Sequence, residues 1–311
     1  MGQIWTMGEL LVEIMRDKID EGLSKCSTFL GPFPSGAPAI FIDTVARLGH
    51  KGGIIGAVGN DDFGSCILKR LAEDGVDCRY INKLPGTTAT AFVTYFKNGS
   101  RKYIFHVDNT PAVQAKFEWI GDNEDISYFH VMGSSLMASD NLKNQILHAI
   151  DFFWRKGTEI TFDPNIRKEL LGTRKLDDII GPVLEKASIL FPGLQELSII
   201  SGKKDIESAI SKMFENKNLK IIVLKLGSNG CAIYSRNNKL SIPAYKIIER
   251  DPTGAGDCFD AGFICGLLEN HNLEECAKIA SAVGAINASA FGPMEGKISR
   301  MDVARMTGIK L

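Results

Sequence analysis

The chain has 311 residues, of which 44% are hydrophobic and 23% are charged, and its formal net charge is −1. This composition is typical of a globular protein, and the near-neutral charge provides no general attraction to nucleic acid or to an anionic membrane. No apolar run reaches the roughly 18 residues that a membrane-spanning helix needs. The seven cysteines are scattered without a CxxC pair, which is typical of reduced thiols and predicts a cytoplasmic protein.

The first part of the chain alternates between strand and helix patterns. The predicted elements are a strand over 3–13, a helix over 37–49, a buried strand over 52–59 and a helix over 61–76. Two β-rich runs, 87–96 and 101–107, then flank Asn98-Gly99, a dipeptide that strongly favours a tight hairpin. This hairpin interrupts the strand and helix alternation.

The alternation resumes in the second part of the chain. The predicted elements are a strand over 126–133, a helix over 139–156 with Ser139 as its N-cap, a strand over 159–164, a helix near 176–187, a strand over 188–192, helices near 194–201 and 204–216, a strand over 220–227, a hairpin over 230–245 and two or three helices over 257–306.

Repeated strand–helix units predict an α/β three-layer sandwich, in which a mostly parallel central sheet has helices on both faces. The hairpin at 87–107 does not fit that sheet. Together with part of 10–32 it is interpreted as a small β lid on a single domain spanning 1–311. Sheets of this kind bind ligands beyond the carboxyl ends of their strands.

The stretch "RDPTGAGDCFDAGF" (250–263) contains the strongest chemical signal. Gly254, Ala255 and Gly256 precede a predicted helix, and free N–H groups at a helix N-terminus bind anions. A carboxylate at Asp257 would repel a phosphate, unless it takes a proton from an alcohol that attacks a phosphoryl group. The alternative is that Asp257 only caps the helix. No G-x-x-x-x-G-K-[ST] motif is present to indicate a P-loop.

Six ordered stretches resemble the ribokinase/PfkB family of carbohydrate kinases, and the resemblance covers nearly the whole chain. The C-terminal signature of the family is similar to "DPTGAGDCFDAGFI" (251–264). The other matching stretches are "SGAPAIFIDTVARLG" (35–49), "GAVGNDDFGSCILKRLAEDGV" (56–76), "FDPNIR" (162–167), "LKLGSNGC" (224–231) and "INASA" (286–290). The resemblance implies a ribokinase-like α/β sandwich with a β lid.

The resemblance also implies roles for individual residues. Asp257 matches the catalytic base of the family, and Gly254, Ala255 and Gly256 match its anion hole. The positions that match sugar- or phosphate-facing residues are Glu13, Gly36, Asn165 and Arg167. The positions that match the surroundings of ATP are Gly227, Gly230 and Asn287, and Glu196 matches a glutamate near magnesium.

Three residues depart from the family pattern. Ile40 stands where the family usually has an asparagine, so one sugar hydrogen bond is missing, and Asp43 on the same predicted helix face is a candidate replacement. Gly193 replaces the asparagine of an Asn-x-x-Glu motif, so the metal shell must be completed differently. Lys225 replaces a frequent threonine, and it is interpreted either as a phosphate contact or as a solvated strand end.

The resulting expectation is an ATP-dependent kinase that acts on a sugar hydroxyl. The stretch "GPFPSGAPAIFID" (31–43) resembles a subgroup associated with tagatose kinases, which favours a ketohexose of the tagatose or fructose type. The alternatives are a 2-keto-3-deoxygluconate, ribose or nucleoside kinase and a non-catalytic sugar-sensing protein. The expected cofactors are ATP and Mg²⁺, with a monovalent cation such as K⁺. The expected partners are the sugar, ATP and a second copy of the chain bound through the lid.

Overall fold

The computed structural model describes residues 2–120 and 124–311. It contains thirteen strands, numbered in chain order: β1 (Gln3–Met7), β2 (Leu11–Arg16), β3 (Phe29–Ser35), β4 (Gly52–Gly59), β5 (Ile81–Leu84), β6 (Ala89–Tyr95), β7 (Arg101–His106), β8 (Ile126–Met132), β9 (Glu159–Asp163), β10 (Ala187–Leu190), β11 (Ile221–Lys225), β12 (Cys231–Ser235) and β13 (Lys239–Ile242).

The described residues also form eleven α-helices: α1 (Ala37–Arg47), α2 (Asp62–Glu73), α3 (Gly133–Ala138), α4 (Asp140–Arg155), α5 (Lys168–Leu171), α6 (Leu176–Leu184), α7 (Leu194–Ser201), α8 (Ile206–Met213), α9 (Ala255–Leu268), α10 (Leu273–Ala288) and α11 (Arg300–Thr307). In the described part of the chain, no helix combines the length and the apolar character needed to cross a membrane.

The strands form two sheets. The large sheet has nine strands in the order β13-β12-β11-β10-β9-β8-β1-β4-β5. All of its pairings are parallel except those of β12 with β11 and β13, which form the antiparallel edge that the 230–245 hairpin predicts. The strand pairing in the structure therefore confirms the predicted class, an α/β fold with a mostly parallel sheet.

The two faces of the large sheet are both covered by helices. Along β1, Trp5 and Met7 pack on one face with residues of α4, α6 and α8, whereas Ile4 packs on the other face with residues of α1, α9 and α10. This alternation follows from the two-residue period of a strand, which sends successive side chains to opposite faces. The result is the predicted three-layer arrangement.

The small sheet has four strands in the order β3-β2-β6-β7. It is built from the two segments for which a β lid was expected. β6 and β7 pair antiparallel around the Asn98-Gly99 turn, in which Gly99 has a φ of 78°. That positive φ is the conformation that glycine adopts without steric cost.

The single strand predicted over 3–13 is wrong. Residues 3–7 belong to the large sheet and residues 11–16 to the small one, so the chain changes sheets at Gly8, Glu9 and Leu10. A Cβ on Gly8 would lie 2.1 Å from Ser135 Oγ and 2.7 Å from Pro38 Cγ, so the chain passes closely beneath α3 and α1. The change of sheet carries Glu13 away from the layer of β1. The short elements β5 and α3 were not predicted.

Candidate active site

Asp257 lies in the first turn of α9, at one end of a pocket between the two sheets. Its side chain is largely buried, and Asn165 Nδ2 donates a hydrogen bond to Asp257 Oδ1 at 3.1 Å. Burial, together with the nearby carboxylate of Asp163, raises the pKa of Asp257 to about 7, while Lys225 and Arg167 act in the opposite direction. A carboxylate with a pKa near neutrality is well suited to accept a proton during a reaction at cellular pH.

The backbone before Asp257 forms a bare turn at the start of α9. Gly254 has a φ of 74°, and a Cβ at this position would lie 2.4 Å from the carbonyl oxygen of Pro293. Gly256 is different, because the nearest atom to its Cβ position is Lys225 Nζ at 3.7 Å. The turn therefore needs glycine at 254, because a side chain there would clash with the backbone. At 256 the position of a Cβ is open, so a bound ligand could approach the backbone closely. First-turn N–H groups have no partner within the helix and can bind an anion there.

Asn287 supports this turn from behind. Its side chain is fully buried, and Nδ2 donates to the carbonyl oxygens of Thr253 at 2.8 Å and Pro293 at 3.0 Å. These two hydrogen bonds fix the backbone around Gly254. The place of Asn287 beside the adenine stays a prediction.

The pocket beside Asp257 brings together residues from distant parts of the sequence. About 540 Å³ of space not occupied by protein atoms lies there, part of it open to solvent. The lining residues include the predicted positions Glu13, Gly36, Ile40, Asn165, Arg167, Gly254 and Asp257. They come from the small sheet, the start of α1, the segment after β9 and the start of α9.

Glu13 reaches the pocket from strand β2 of the small sheet. Glu13 Oε1 accepts a hydrogen bond from the Ser35 hydroxyl at 2.9 Å, while Oε2 is buried without a partner. Burial raises the pKa of Glu13 to about 7, against the effect of the Ser35 hydrogen bond. Asn165 Oδ1 is a second buried acceptor without a partner. Two unsatisfied acceptors in one pocket are a costly arrangement unless a ligand donates to them.

Asp43 does not belong to this pocket, and the interpretation of it as a sugar contact is wrong. Its side chain is 1% exposed, and its oxygens lie 3.6 Å from Arg70 Nε and 3.7 Å from Arg47 Nη1. Three residues along a helix rotate the side chain by about 300° and move it about 4.5 Å along the axis. Asp43 is thus displaced from Ile40, toward α2 instead of the pocket.

The lining residues that were not among the predicted site positions include the polar residues Glu9, Arg101, Tyr103 and Ser134. Glu9 accepts a hydrogen bond from the Ser134 hydroxyl at 2.8 Å and another from the Ser135 hydroxyl. Burial raises the pKa of Glu9, although both hydrogen bonds oppose the change. A carboxylate directly after a buried strand was a visible signal in the sequence, because the carboxyl ends of parallel strands are where ligands bind.

A second cleft adjoins the pocket and shares Arg101, Tyr103 and Arg167 with it. This cleft offers about 1240 Å³ and is also lined by Glu196 and Lys225. Lys225 is not a solvated strand end, because its Nζ lies 2.7 Å from Asp163 Oδ2 and its side chain is only 18% exposed. The glycines at 227 and 230 form the turn between β11 and β12, with φ values of 58° and 91°, and do not line either cleft.

Glu196 is the carboxylate that could serve a divalent metal ion in the second cleft. Its Oε2 accepts from the N–H of Gly193 and its Oε1 from the N–H of Ile166, both at 2.8 Å. Each oxygen keeps a further lone pair. Residues 2–120 and 124–311 contain no cluster of three or more His, Cys, Asp or Glu that could hold a metal. One carboxylate fits Mg²⁺, which commonly keeps several waters and takes further ligands from substrate phosphates.

Residues 8–299 match the model of the pfkB family carbohydrate kinases, and the chain belongs to that family. It is therefore an ATP-dependent sugar kinase. An E. coli protein provisionally called ribokinase II has a similar structure, with 39% identity, a TM-score of 0.91 and coverage of 98% of this chain and 99% of that one. Its complex with ATP and Mg²⁺ gives 38% identity and a TM-score of 0.89 over the same shares. Fructokinase from Klebsiella pneumoniae is 30% identical over 98% of this chain and 99% of its own.

Proposed function

We propose that this kinase phosphorylates a hydroxyl of a neutral ketohexose of the fructose or tagatose type, with ATP as the donor and Asp257 as the general base. The observation that carries the proposal is the buried pocket in which the Asp257 carboxylate lies with the free acceptors Glu13 Oε2 and Asn165 Oδ1. Sugar hydroxyls donate hydrogen bonds to such acceptors. The 30% identity to a fructokinase over nearly the whole chain supports the same class of substrate.

The chemistry assigned to Asp257 follows from its position. The carboxylate takes the proton of the attacking hydroxyl as the sugar oxygen bonds to the γ-phosphorus of ATP and ADP leaves. The N–H groups of Gly254, Ala255 and Gly256 stabilise the oxygens of the transferred phosphoryl group, because they form the positive end of α9. The Ala255 N–H, which donates to Pro252 O at 3.3 Å in the free protein, exchanges that partner for the phosphoryl oxygen. Asn165 orients the base through its hydrogen bond to Asp257 Oδ1.

The nucleotide is assigned to the second cleft, which opens onto the same turn through Lys225 and Arg167. The E. coli relative in complex with ATP and Mg²⁺ supports ATP and Mg²⁺ as the cofactors of this chain. Glu196 would hold the Mg²⁺ through its waters, and the ion would neutralise charge on the phosphates. The turn containing Gly227 and Gly230 stays a prediction for the nucleotide base, and so does a requirement for K⁺.

A second substrate class has a specific observation in its favour. Arg101 and Arg167 both line the pocket. Arginines of this kind can bind a carboxylate in a bidentate manner. A sugar acid such as 2-keto-3-deoxygluconate is therefore the alternative. Against it, the Glu9 and Glu13 carboxyl groups line the same pocket, and in their ionised forms they would repel an anion.

The test is a measurement of kcat/KM for fructose, tagatose, ribose and 2-keto-3-deoxygluconate by ADP release with Mg²⁺ and K⁺ present. We expect one of the ketohexoses to give the highest value. Glu13→Gln should raise KM for the preferred ketohexose by more than it changes kcat, because the acceptor is neutralised. A value for the acid that is tenfold or more above both ketohexoses would reject the substrate assignment and leave the kinase assignment intact.

Two further expectations concern the small sheet. It carries Glu13, Arg101 and Tyr103 into the pocket, so we infer that it closes over the sugar as a lid and excludes water from the reaction.

The exposed apolar residues of the small sheet include Phe29, Leu30 and Ile104, which are 36%, 37% and 47% exposed. A homodimer through this surface stays a prediction. Sedimentation equilibrium of the protein and of Ile104→Glu would test it, and a monomeric wild-type protein would reject it.

A further inference from the structure

Lys225 occupies the boundary between the second cleft and the start of α9. It ends strand β11, and its Nζ lies 2.7 Å from Asp163 Oδ2 and 3.2 Å from each carboxylate oxygen of Asp260. A Cβ on Gly256 would lie 3.7 Å from the same Nζ. The ammonium is therefore next to the last glycine of the turn at which the phosphoryl group is proposed to bind.

Lys225 keeps its positive charge between its two carboxyl partners, Asp163 and Asp260. Burial alone would lower the pKa of Lys225, but Asp163 and Asp260 raise it above its usual value, so the side chain stays an ammonium. Burial raises the pKa of Asp260 well above its usual value, while Lys225 keeps the pKa of Asp163 low despite burial. Lys225 therefore stays a cation between the carboxyl groups of Asp163 and Asp260, next to Gly256.

The geometry also leaves a hydrogen-bond donor free. An ammonium has three N–H donors. One is directed to Asp163, and the equal distances to the two oxygens of Asp260 indicate that a second is shared between them. Lys225 lines the second cleft, so the third donor is available to a group bound there.

We propose, on the basis of the function proposed above, that Lys225 is a catalytic residue whose ammonium contacts an oxygen of the γ-phosphoryl group of ATP. During transfer the sugar oxygen forms a bond to the γ-phosphorus, and the bond from this phosphorus to the β,γ-bridging oxygen breaks. The hydroxyl proton goes to Asp257, ADP leaves with the electron pair, and Lys225 keeps its proton. A fixed cation stabilises the charge that develops on the oxygens in this step.

Asp163 fixes the position of the Lys225 ammonium relative to the proposed base, Asp257. Asp163 Oδ1 accepts a hydrogen bond from the N–H of Asn165 at 3.0 Å, and Asn165 Nδ2 in turn donates to Asp257 Oδ1. A continuous chain of contacts therefore joins Lys225, Asp163, Asn165 and Asp257. Because Lys225 and Asp257 are fixed to the same framework, little reorganisation is needed when the phosphoryl group moves between donor and acceptor.

The test compares the wild-type kinase with Lys225→Met and with the control Lys220→Met. Lys220 forms an exposed ion pair with Glu159 and lines neither cleft. We measure kcat with the best sugar of the panel, and the Kd values of ADP and of β,γ-imido-ATP by calorimetry. We expect Lys225→Met to lower kcat by about 10²- to 10³-fold, the usual effect of losing one such donor. The affinity for β,γ-imido-ATP should fall about tenfold relative to that for ADP, an effect that a purely structural role would not produce.

Two results would overturn the proposal: a kcat for Lys225→Met within threefold of the control, or an unchanged ratio of the two nucleotide affinities. If Lys225→Met does not fold, Lys225→Met/Asp163→Asn removes the cation together with its ionised partner, and Asp163→Asn alone is its reference. If the wild-type protein phosphorylates no sugar, the proposed function fails, and the affinity ratio still decides the role of Lys225.

Discussion

Replacing Asp257 with asparagine should separate catalysis from stability in this kinase. Asparagine has the same shape as aspartate and keeps an oxygen that can accept the hydrogen bond from Asn165. It cannot take a proton from the sugar hydroxyl. We expect kcat to fall by about 10²- to 10⁴-fold, the usual contribution of a general base. In the wild-type protein, kcat/KM should rise as the pH increases through about 7, where Asp257 loses its proton.

The same variant should be more stable than the wild-type protein at high pH. The pKa of Asp257 is raised from 3.8 in the unfolded chain to about 7 in the folded protein by burial. The folded state therefore binds this proton more tightly, and its advantage is lost as the pH rises from about 4 through 7. At 1.36 kcal/mol per pH unit, the ionised carboxylate costs the wild-type protein at most about 4 kcal/mol at pH 8. Asparagine avoids this cost.

The assay is urea denaturation at pH 5 and pH 8, together with turnover measurements. Asp140→Asn is the matched control, because Asp140 also lies in the first turn of a helix but is exposed and paired with Lys143. The Lys143 hydrogen bond lowers the pKa of Asp140, so this control should be no more stable than the wild type at either pH. The reasoning is refuted if Asp257→Asn keeps kcat within tenfold, or if its stability relative to the wild type does not increase between pH 5 and pH 8.

Three further predictions test the site around Asp257. Gly256→Val should lower kcat strongly with little change in Tm, because a Cβ at 256 has room in the protein but blocks a bound phosphate. Gly254→Ala should instead lower Tm, because a Cβ at 254 would lie 2.4 Å from Pro293 O. Equal losses of Tm in the two variants would contradict this. Asp43→Asn should leave KM for the sugar within twofold, because Asp43 lies outside the pocket, and a larger change in KM would contradict that placement. Sugar should slow amide hydrogen exchange in 89–106 but not in 52–59, and equal exchange with and without sugar would reject lid closure.

The elements with a local cause could be predicted from the sequence. Ser139 was expected to cap a helix, and its hydroxyl accepts the N–H of Leu142. The Asn98-Gly99 hairpin depends on a dipeptide whose conformation is nearly independent of its surroundings. The mostly parallel sheet follows from the spacing of strands and helices alone. In each case the information lies within a few residues of the feature, and the structure agrees.

Contacts between distant segments could not be predicted in the same way. Asn287 falls in a stretch that resembles a nucleotide-facing part of the family, yet its amide holds the turn at Gly254 through two backbone carbonyl groups. Asp43 has the helical spacing of a neighbour of Ile40, yet Arg70 from another helix lies beside it. Spacing along one element fixes direction only approximately, and the partner from another element decides which side chain faces a ligand.

Lys225 shows this limit most clearly and explains why the site is more than its signature motif. At the end of a strand, a lysine with no visible partner is ordinarily solvated. Its carboxylate partners lie 62 and 35 residues away in the sequence, on β9 and α9. Only the parallel order β11-β10-β9, with the start of α9 above it, brings the three together. The topology places the ends of β9 and β11 and the start of α9 at one edge of the sheet. There, Asp163 and Asp260 hold the Lys225 ammonium in a fixed position beside Gly256.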